Sequence, residues 1–155
     1  MAHIRLLTVG RPRDKRLVGL VEEYLKRFRA NWTVSWETVL EEPLRKGPDS
    51  RALDREQERL LRRVGSQDIV VLLDVEGEMV DSRALAQRLQ QWRESGHPIT
   101  IIVGGSWGTG EAVRQRAQWR WSLSSLTFSH GLAQVMVAEQ LYRAWTISQG
   151  HPYHK

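Results

Sequence analysis

Side chains with chemical uses are concentrated in the last third of the chain. They comprise three histidines, a carboxylate, an arginine and two tyrosines: His130, His151, His154, Glu139, Arg143, Tyr142 and Tyr153. Histidine can take up or release a proton near neutral pH, and arginine can stabilise negative charge that develops during a reaction. This segment is therefore the first candidate for a functional site.

Each of these residues also has an ordinary structural use. Glu139 and Arg143 are four residues apart on one face of a predicted helix, so they can pair with each other. His130 precedes that helix, where a histidine is commonly inert. His151 and His154 have no carboxylate or cysteine at ligand spacing, so no metal site is predicted. A nucleophilic triad is not predicted.

Hydrophobic periodicity predicts the elements that would position these residues. Apolar runs predict five strands, over residues 4–9, 32–36, 69–75, 99–103 and 121–126. Apolar residues at intervals of three and four predict the helices between them, and a long helix follows residue 131. Glu76 and Gly77 are expected to turn the chain after the third strand. The alternation is typical of an open, mostly parallel α/β sheet with helices on both faces.

Three loops are expected at the carboxyl ends of these strands, where such sheets bind ligands: the loop after Leu73, residues 104–110 and residues 124–131. Glycines in the second loop would let backbone amides approach a ligand, but their spacing is neither G-x-G-x-x-G nor a P-loop. A plain turn is the alternative there. The hydroxyl groups of the third loop can contact a ligand, or they can form caps and turns.

Length and composition limit the classes of protein and partner that the chain can represent. A chain of 155 residues with 41% hydrophobic content suits one domain, and a net charge of +5 favours a polyanionic partner. The chain has no cysteine, which excludes disulfides and thiolate chemistry. It has neither a cleavable leader nor a run of about 18 apolar residues, so a soluble, cytoplasmic protein without a membrane partner is expected. Its seven tryptophans suit core packing or, alternatively, base stacking.

Several motifs together resemble those of one known family. Leu72, Leu73 and Asp74 follow one apolar run, and Gly104 and Gly105 follow another. The further motifs are residues 121–127 with His130, residues 138–145 (AEQLYRAW) and residues 151–155 (HPYHK). Over its whole length the chain thus resembles the RlmH family, which belongs to the SPOUT class of S-adenosylmethionine-dependent RNA methyltransferases.

The resemblance implies one domain over residues 1–155, an α/β fold with a C-terminal trefoil knot, and a homodimer. It also implies methylation of the N3 ring nitrogen of a pseudouridine in 23S rRNA, within the large subunit of the assembled ribosome. The cofactor, S-adenosyl-L-methionine, would lie against two strand ends and one loop: Leu73, Gly104, Gly105, Ser124, Ser125, Leu126, Thr127, Phe128 and Ser129.

The same resemblance implies roles for residues outside the cofactor site. His130, Arg143 and His154 would be catalytic, by assisting deprotonation or by holding the uracil edge. Tyr142 and Tyr153 would bind the substrate, with Tyr153 placed to stack. The terminal residues would reach a site on the neighbouring subunit. Arg11 and Arg13 would contact rRNA phosphates, together with Lys15, Arg45 and Lys46; an exposed, solvated surface is the alternative for these cations.

The chain departs from the family at several positions. Ser106, Trp107 and Gly108 stand where Pro-Glu-Gly is usual, and Gln134 stands where arginine is usual. Ser129 and Gly131 replace a proline and an often bulkier residue on either side of the histidine. These changes leave open a ribosome-binding or assembly protein that has lost methyl transfer. A flavodoxin-like small-molecule binder is a third reading, which the lack of a phosphate-binding loop disfavours.

Overall fold

The computed structural model describes residues 2–43 and 50–155. Its strands are β1 (Ala2–Val9), β2 (Trp32–Val39), β3 (Ile69–Glu78), β4 (Ile99–Val103) and β5 (Trp119–Trp121). Its helices are α1 (Lys15–Leu25), α2 (Ser50–Arg63), α3 (Ser82–Ser95), α4 (Glu111–Arg116) and α5 (His130–Ser148). Arg45, Lys46 and Asp49, a possible cap of α2, lie outside the described residues.

The strands form one sheet in the order β2-β1-β4-β3-β5, and every pairing is parallel. Parallel strands covered on both faces need apolar residues on both faces, which explains the continuous apolar runs of β1 and β4. The predicted open α/β sheet is confirmed.

Two hydrophobic cores lie on opposite faces of the sheet. Leu6 and Ile101 belong to the core that α1, α3 and α5 cover, while Leu7 and Ile102 belong to the core under α2 and α4. Successive strand residues point to opposite faces, so neighbours in the sequence enter different cores. Helices therefore lie on both faces, as predicted, and α5 packs against both α1 and α3.

Side-chain caps define where three helices begin. Asp14 accepts from the amide of Arg16 at α1, Asp81 from that of Ala84 at α3, and Ser129 from that of Leu132 at α5. The predicted glycine stop of α3 is also confirmed, since Gly96 has a φ of 78°. His130 is consequently the first residue of α5, whereas the sequence predicted that this helix begins after residue 131.

Four of the five strands have bounds that differ from the prediction, among them the ends of β3 and β5. β3 does not turn at Glu76 and Gly77 but continues to Glu78, which pairs with Trp121 after a shift of register. A Cβ on Gly77 would lie 2.6 Å from the carbonyl carbon of Arg120, so this close strand contact requires glycine. β5 ends at Trp121 rather than at residue 126, because Ser122 bonds to the carbonyl of Ser124 and turns the chain.

Within the described part of the chain, no helix is both long and apolar enough to cross a membrane. The trefoil knot that the resemblance implies stays a prediction, because strand order and helix contacts do not define how the chain is threaded.

Candidate active site

A cleft beside the middle of β3 is lined by Leu73 and by the predicted loop before α5, whereas the loop predicted after Leu73 is part of the strand. Leu73 lines it from β3, and Ser124, Leu126, Thr127 and Phe128 line it from the loop before α5. The cavity measures about 130 Å³. Its walls are largely apolar, so it suits a flat heterocycle better than a charged group.

Five further residues line this cleft that sequence reasoning did not assign to a site: Asp74, Val75, Ser122, Leu123 and Ala133. Asp74 is the only carboxylate among them, and it pairs with Arg120 at 3.4 Å and with Arg114 at 3.8 Å. Its charge is thus compensated inside the protein. Its position directly after Leu73 was the signal that could have identified it.

The hydroxyl groups of the third loop mainly hold the loop itself. Ser124 Oγ accepts from the amide of Leu126, and Ser129 caps α5. Ser125 is exposed and does not line the cavity. The amides of Thr127 and Phe128 make no hydrogen bond within residues 2–43 and 50–155, so they are available to a ligand.

Gly104 and Gly105 do not line this cavity. A Cβ on Gly104 would lie 2.6 Å from Thr109 Cγ2, and one on Gly105 would lie 3.0 Å from Glu56 Oε1. Burial raises the pKa of the Glu56 carboxyl, which accepts from the amide of Glu42. These glycines fit a tight turn packed against α2, so the structure supports the turn alternative, and a cofactor contact stays a prediction.

The first turn of α5 carries a buried polar contact. Gln134 is 0% exposed, and its Nε2 lies 2.9 Å from His130 Nε2 and 3.2 Å from the carbonyl oxygen of Gly10. Its Oε1 is buried and has no hydrogen-bond partner among the described residues. The histidine ring is half-buried. His130 is therefore held by a neighbour that sequence reasoning noticed only as a departure from the family.

The carbonyl of Gly10 reaches α5 because of local backbone geometry. Gly10 has a φ of 70°, in the left-handed region that favours glycine. Thr8 Oγ1 donates to the same carbonyl oxygen at 2.8 Å and accepts from Trp36 Nε1 at 3.0 Å. A chain of hydrogen bonds thus runs from Trp36, in the edge strand β2, to His130.

The other end of α5 carries a charged cluster. Arg143 Nη2 donates to Glu139 Oε1 at 2.6 Å, which confirms the predicted pairing, and Arg143 Nη1 donates to His154 Nδ1 at 3.1 Å. The Tyr153 hydroxyl donates to the same oxygen of Glu139 at 3.0 Å. In the single chain the terminal residues therefore pack back on their own α5, with His151 exposed.

Electrostatics favour the protonated forms within this cluster. The hydrogen bond to Glu139 raises the pKa of Arg143, so its guanidinium stays charged. Burial and then the bond to Glu139 raise the pKa of Tyr153.

Tyr142 is 7% exposed and packs against the Tyr153 ring, with ring centroids 4.8 Å apart. It supports Tyr153 and presents little surface in the single chain, so substrate binding by Tyr142 stays a prediction.

The two ends of α5 are too far apart to act on one base. His130 begins the helix and Arg143 follows thirteen residues later, which is roughly 20 Å along the axis at 1.5 Å per residue. The structure thus brings Arg143, His154 and Tyr153 together, but leaves His130 with Gln134 and the cleft. A site that uses both ends needs a second chain.

Two of the candidate phosphate contacts, Arg11 and Arg13, differ in their surroundings. Arg11 lies over the Trp36 ring at 4.3 Å and pairs with Glu22 at 3.3 Å. Arg13 is exposed and makes no ion pair or hydrogen bond with any residue that the structure describes. The part of the chain that the structure describes contains no group of three or more His, Cys, Asp or Glu side chains that could hold a metal ion.

Comparison with known proteins gives a consistent result. The chain matches the family described as "Predicted SPOUT methyltransferase" over residues 2–154. It is 39% identical to the Ribosomal RNA large subunit methyltransferase H of Desulfitobacterium hafniense (strain DSM 10664 / DCB-2), covering 100% of both chains. It is 44% identical to the protein of that name from Alkalilimnicola ehrlichii, covering 98% of each. Its fold is similar to that of Ribosomal RNA small subunit methyltransferase E from Neisseria gonorrhoeae, solved with S-adenosyl methionine, at a TM-score of 0.53 and 13% identity, covering 93% of this chain and 67% of that one.

Proposed function

Because the chain belongs to the SPOUT methyltransferase family, we propose that it methylates large-subunit ribosomal RNA with S-adenosylmethionine as methyl donor. The proposed target is the N3 ring nitrogen of a pseudouridine in 23S rRNA, on the assembled ribosome in the cytoplasm. The observation that carries this proposal is the apolar cleft beside the start of α5, in a chain whose full-length relatives are named as large-subunit rRNA methyltransferases.

The cleft fits the adenine of this cofactor. Leu73, Leu126 and Phe128 supply apolar walls. The unpaired amides of Thr127 and Phe128 can donate to ring nitrogens, which is how backbone groups give orientation in a mostly apolar pocket. Ala133, on the first turn of α5, closes the cavity on the side of His130.

When bound, the cofactor supplies a methyl group on a cationic sulfur, which is already electrophilic. The protein then has to hold the base in line and stabilise the ring once N3 has released its proton to water. Arg143 can offset that negative charge, and His130 and His154 can hydrogen-bond to the uracil edge. Tyr153, which is half-exposed, can stack on the base.

The exposed face of α5 supports a homodimer. Leu132 and Met136 are 46% and 40% exposed and lie on one face, with Arg143 further along the same face. An antiparallel pairing of two α5 helices through this face, about a twofold axis near Met136, would bring the start of one α5 level with Arg143 of the partner subunit. Each active site would then combine the start of one α5 with the charged cluster of the other.

The function is tested by transfer of labelled methyl groups to ribosomes that lack the modification, followed by mapping of the labelled nucleotide. We expect label at one pseudouridine of 23S rRNA. Folded, dimeric protein that binds ribosomes and transfers no label would overturn the proposal in favour of a binding or assembly role.

Arg62 provides a matched control for Arg143, because it pairs with Glu58 at the same spacing and the same 2.6 Å. We expect Arg143→Ala to lower kcat about 100-fold, as for loss of a group that stabilises charge in the transition state. Arg62→Ala should leave kcat unchanged. An equal effect of both substitutions would remove Arg143 from the site.

Contact with rRNA is tested by a second matched pair. Arg13 has no ion pair with any residue in the described ranges, whereas Arg16 is held by Asp14 at 2.8 Å. Arg13→Ala should weaken ribosome binding and reduce the slope of log K against log salt by about 1. Arg16→Ala should change that slope less, and the reverse order would argue against Arg13 as a phosphate contact.

A further inference from the structure

We infer that Gln134 is a positioning residue that keeps the proton of the neutral His130 ring on Nδ1, so that His130 donates a hydrogen bond to the substrate and does not act as the base. The assignment of the donor follows from the hydrogen-bond chain alone. The role toward substrate rests on the proposed function.

The direction of the chain is set at its far end. An indole N–H can only donate, so Thr8 Oγ1 accepts from Trp36 Nε1. The single hydroxyl proton of Thr8 is then directed to the carbonyl oxygen of Gly10 at 2.8 Å. That oxygen can only accept, so whatever Gln134 presents to it must also be a donor.

This requirement fixes the amide of Gln134. With Nε2 toward the Gly10 oxygen, one N–H is used at 3.2 Å. The reverse orientation would place two acceptor oxygens against each other, so it is excluded on chemical grounds. This orientation leaves Gln134 Oε1 buried without a hydrogen-bond partner among the described residues. The amide orientation is therefore imposed by Gly10 and not by the needs of Gln134 itself.

The second N–H of Gln134 determines the state of His130. It points to His130 Nε2 at 2.9 Å, and this nitrogen can accept only if it carries no proton. A neutral ring then has its proton on Nδ1, the opposite of the form that prevails in free histidine. Nδ1 makes no hydrogen bond with the described residues, and the half-buried ring leaves it open to a ligand.

This arrangement allows His130 to act as a hydrogen-bond donor and prevents it from acting as a general base. A general base needs an unprotonated nitrogen facing the substrate, and here that nitrogen is occupied by Gln134. The free Nδ1–H can instead donate to a carbonyl oxygen of the uracil ring. When N3 loses its proton, negative charge spreads to the two carbonyl oxygens beside it, so this donor binds the reacting ring more tightly than the resting one.

The protonation state is measured in the free protein by long-range ¹H–¹⁵N NMR on histidine labelled at the ring, which detects the carbon-bound protons. His130→Ala identifies the signals of His130 among the five histidines. At neutral pH we expect an unprotonated-type Nε2 and a protonated-type Nδ1. A protonated Nε2, either in the neutral ring or in the cation, would overturn the inference.

Two substitutions and one control separate positioning from folding. Gln134→Met keeps the volume and removes both donors, so the Nε2–H form should become the major one, and kcat/KM should fall about threefold to tenfold for one lost neutral hydrogen bond. Gln134→Glu presents an acceptor and should shift the proton to Nε2 outright. Gln115→Met, on the exposed side of α4, should change neither the position of the His130 proton nor kcat/KM.

An unchanged proton position in folded Gln134→Met would count against the role of Gln134. The two proposals can fail separately. If Nδ1 carries the proton and no methyl transfer occurs, the proposed function fails and the assignment of the donor stands. If transfer occurs while Nε2 carries the proton, the assignment fails and the function stands.

Discussion

The two ends of α5 differ in the charge and burial of their polar side chains. At the start of the helix, His130 and Gln134 form a neutral network in which every donor has one direction, and Gln134 is completely buried. At the other end, Glu139, Arg143 and Tyr153 form a charged cluster that is partly open to solvent. The first end is built to keep one arrangement of protons, and the second is built to keep an arginine compensated.

This difference teaches what each end can contribute. A fixed neutral donor selects the orientation of a base, because moving it would leave buried groups unpaired. The side chains of Arg143 and Glu139 are 25% and 17% exposed, so the guanidinium is partly open to solvent and can contact a substrate while Glu139 keeps it compensated. The two contributions have to meet across a dimer interface if they serve one site.

A mixture of two inactive variants tests most directly whether the two ends of α5 meet in one active site across a dimer interface. His130→Ala and Arg143→Ala should each reduce activity about 100-fold or more. Mixed dimers would contain one site with both residues intact, so activity should return to about half that of wild type per heterodimer. Activity is measured by methyl transfer after co-refolding. If both ends served one site within a single chain, every site would carry one defect and no activity would return.

The start of α5 also borders the cleft, so a bulkier side chain there should act on cofactor binding alone. We expect Ala133→Leu to weaken S-adenosylmethionine binding by about tenfold or more, because the added carbons occupy the cavity. The measurement is the Kd by calorimetry. Glu139→Gln, at the charged end, is the matched substitution and should leave the Kd unchanged. A loss of affinity in both variants would contradict a cleft confined to one end.

The neutral network should contribute little to stability although it is buried. Gln134→Met removes two hydrogen bonds and also removes an oxygen that has no partner, so we expect the free energy of unfolding to change by less than about 1.5 kcal/mol. Urea denaturation gives this value. A much larger loss would mean that Gln134 serves the core first, and that the orientation of His130 is a by-product.

The smallest effect belongs to Tyr153 and depends on pH. Burial, followed by the bond to Glu139, raises the pKa of Tyr153 above its ordinary value of 10.0. The protonated hydroxyl therefore stabilises the folded protein fully at pH values below the unfolded pKa. This contribution is lost as the pH rises from the unfolded pKa through the folded pKa, because the unfolded chain releases the proton first. Denaturation midpoints above pH 10 should therefore fall more steeply for wild type than for Tyr153→Phe. Parallel curves would contradict the buried, hydrogen-bonded hydroxyl.

Sequence patterns predicted the fold well where burial on both faces leaves a clear signal. The apolar runs of β1 and β4 indicated a parallel sheet, and the spacing of Glu139 and Arg143 indicated their pair. The end of β3 was missed because Gly77 looks like a turn residue, whereas the structure uses it to let two strands approach. The length of β5 was overestimated because its apolar pattern continues into the loop.

The candidate site was predicted in part. Leu73 and the loop before α5 were found through the rule for parallel sheets, and they do line one cleft. The role of Gln134 could not be found, because it depends on the direction of a carbonyl contributed by Gly10, at the opposite end of the sequence. Hydrogen-bond direction is a property of the folded backbone and leaves no trace in the spacing of residue types.

The order of the strands has a consequence for how the chain folds as it is made. β1 leaves the ribosome first, but one of its two neighbours is β4, and α5, which covers α1 and α3, comes last of all. The early part of the chain therefore has no local partner that completes its sheet, a topology that folds slowly and leaves apolar strand edges open. We expect newly made chains to depend on chaperones until the final helix has emerged.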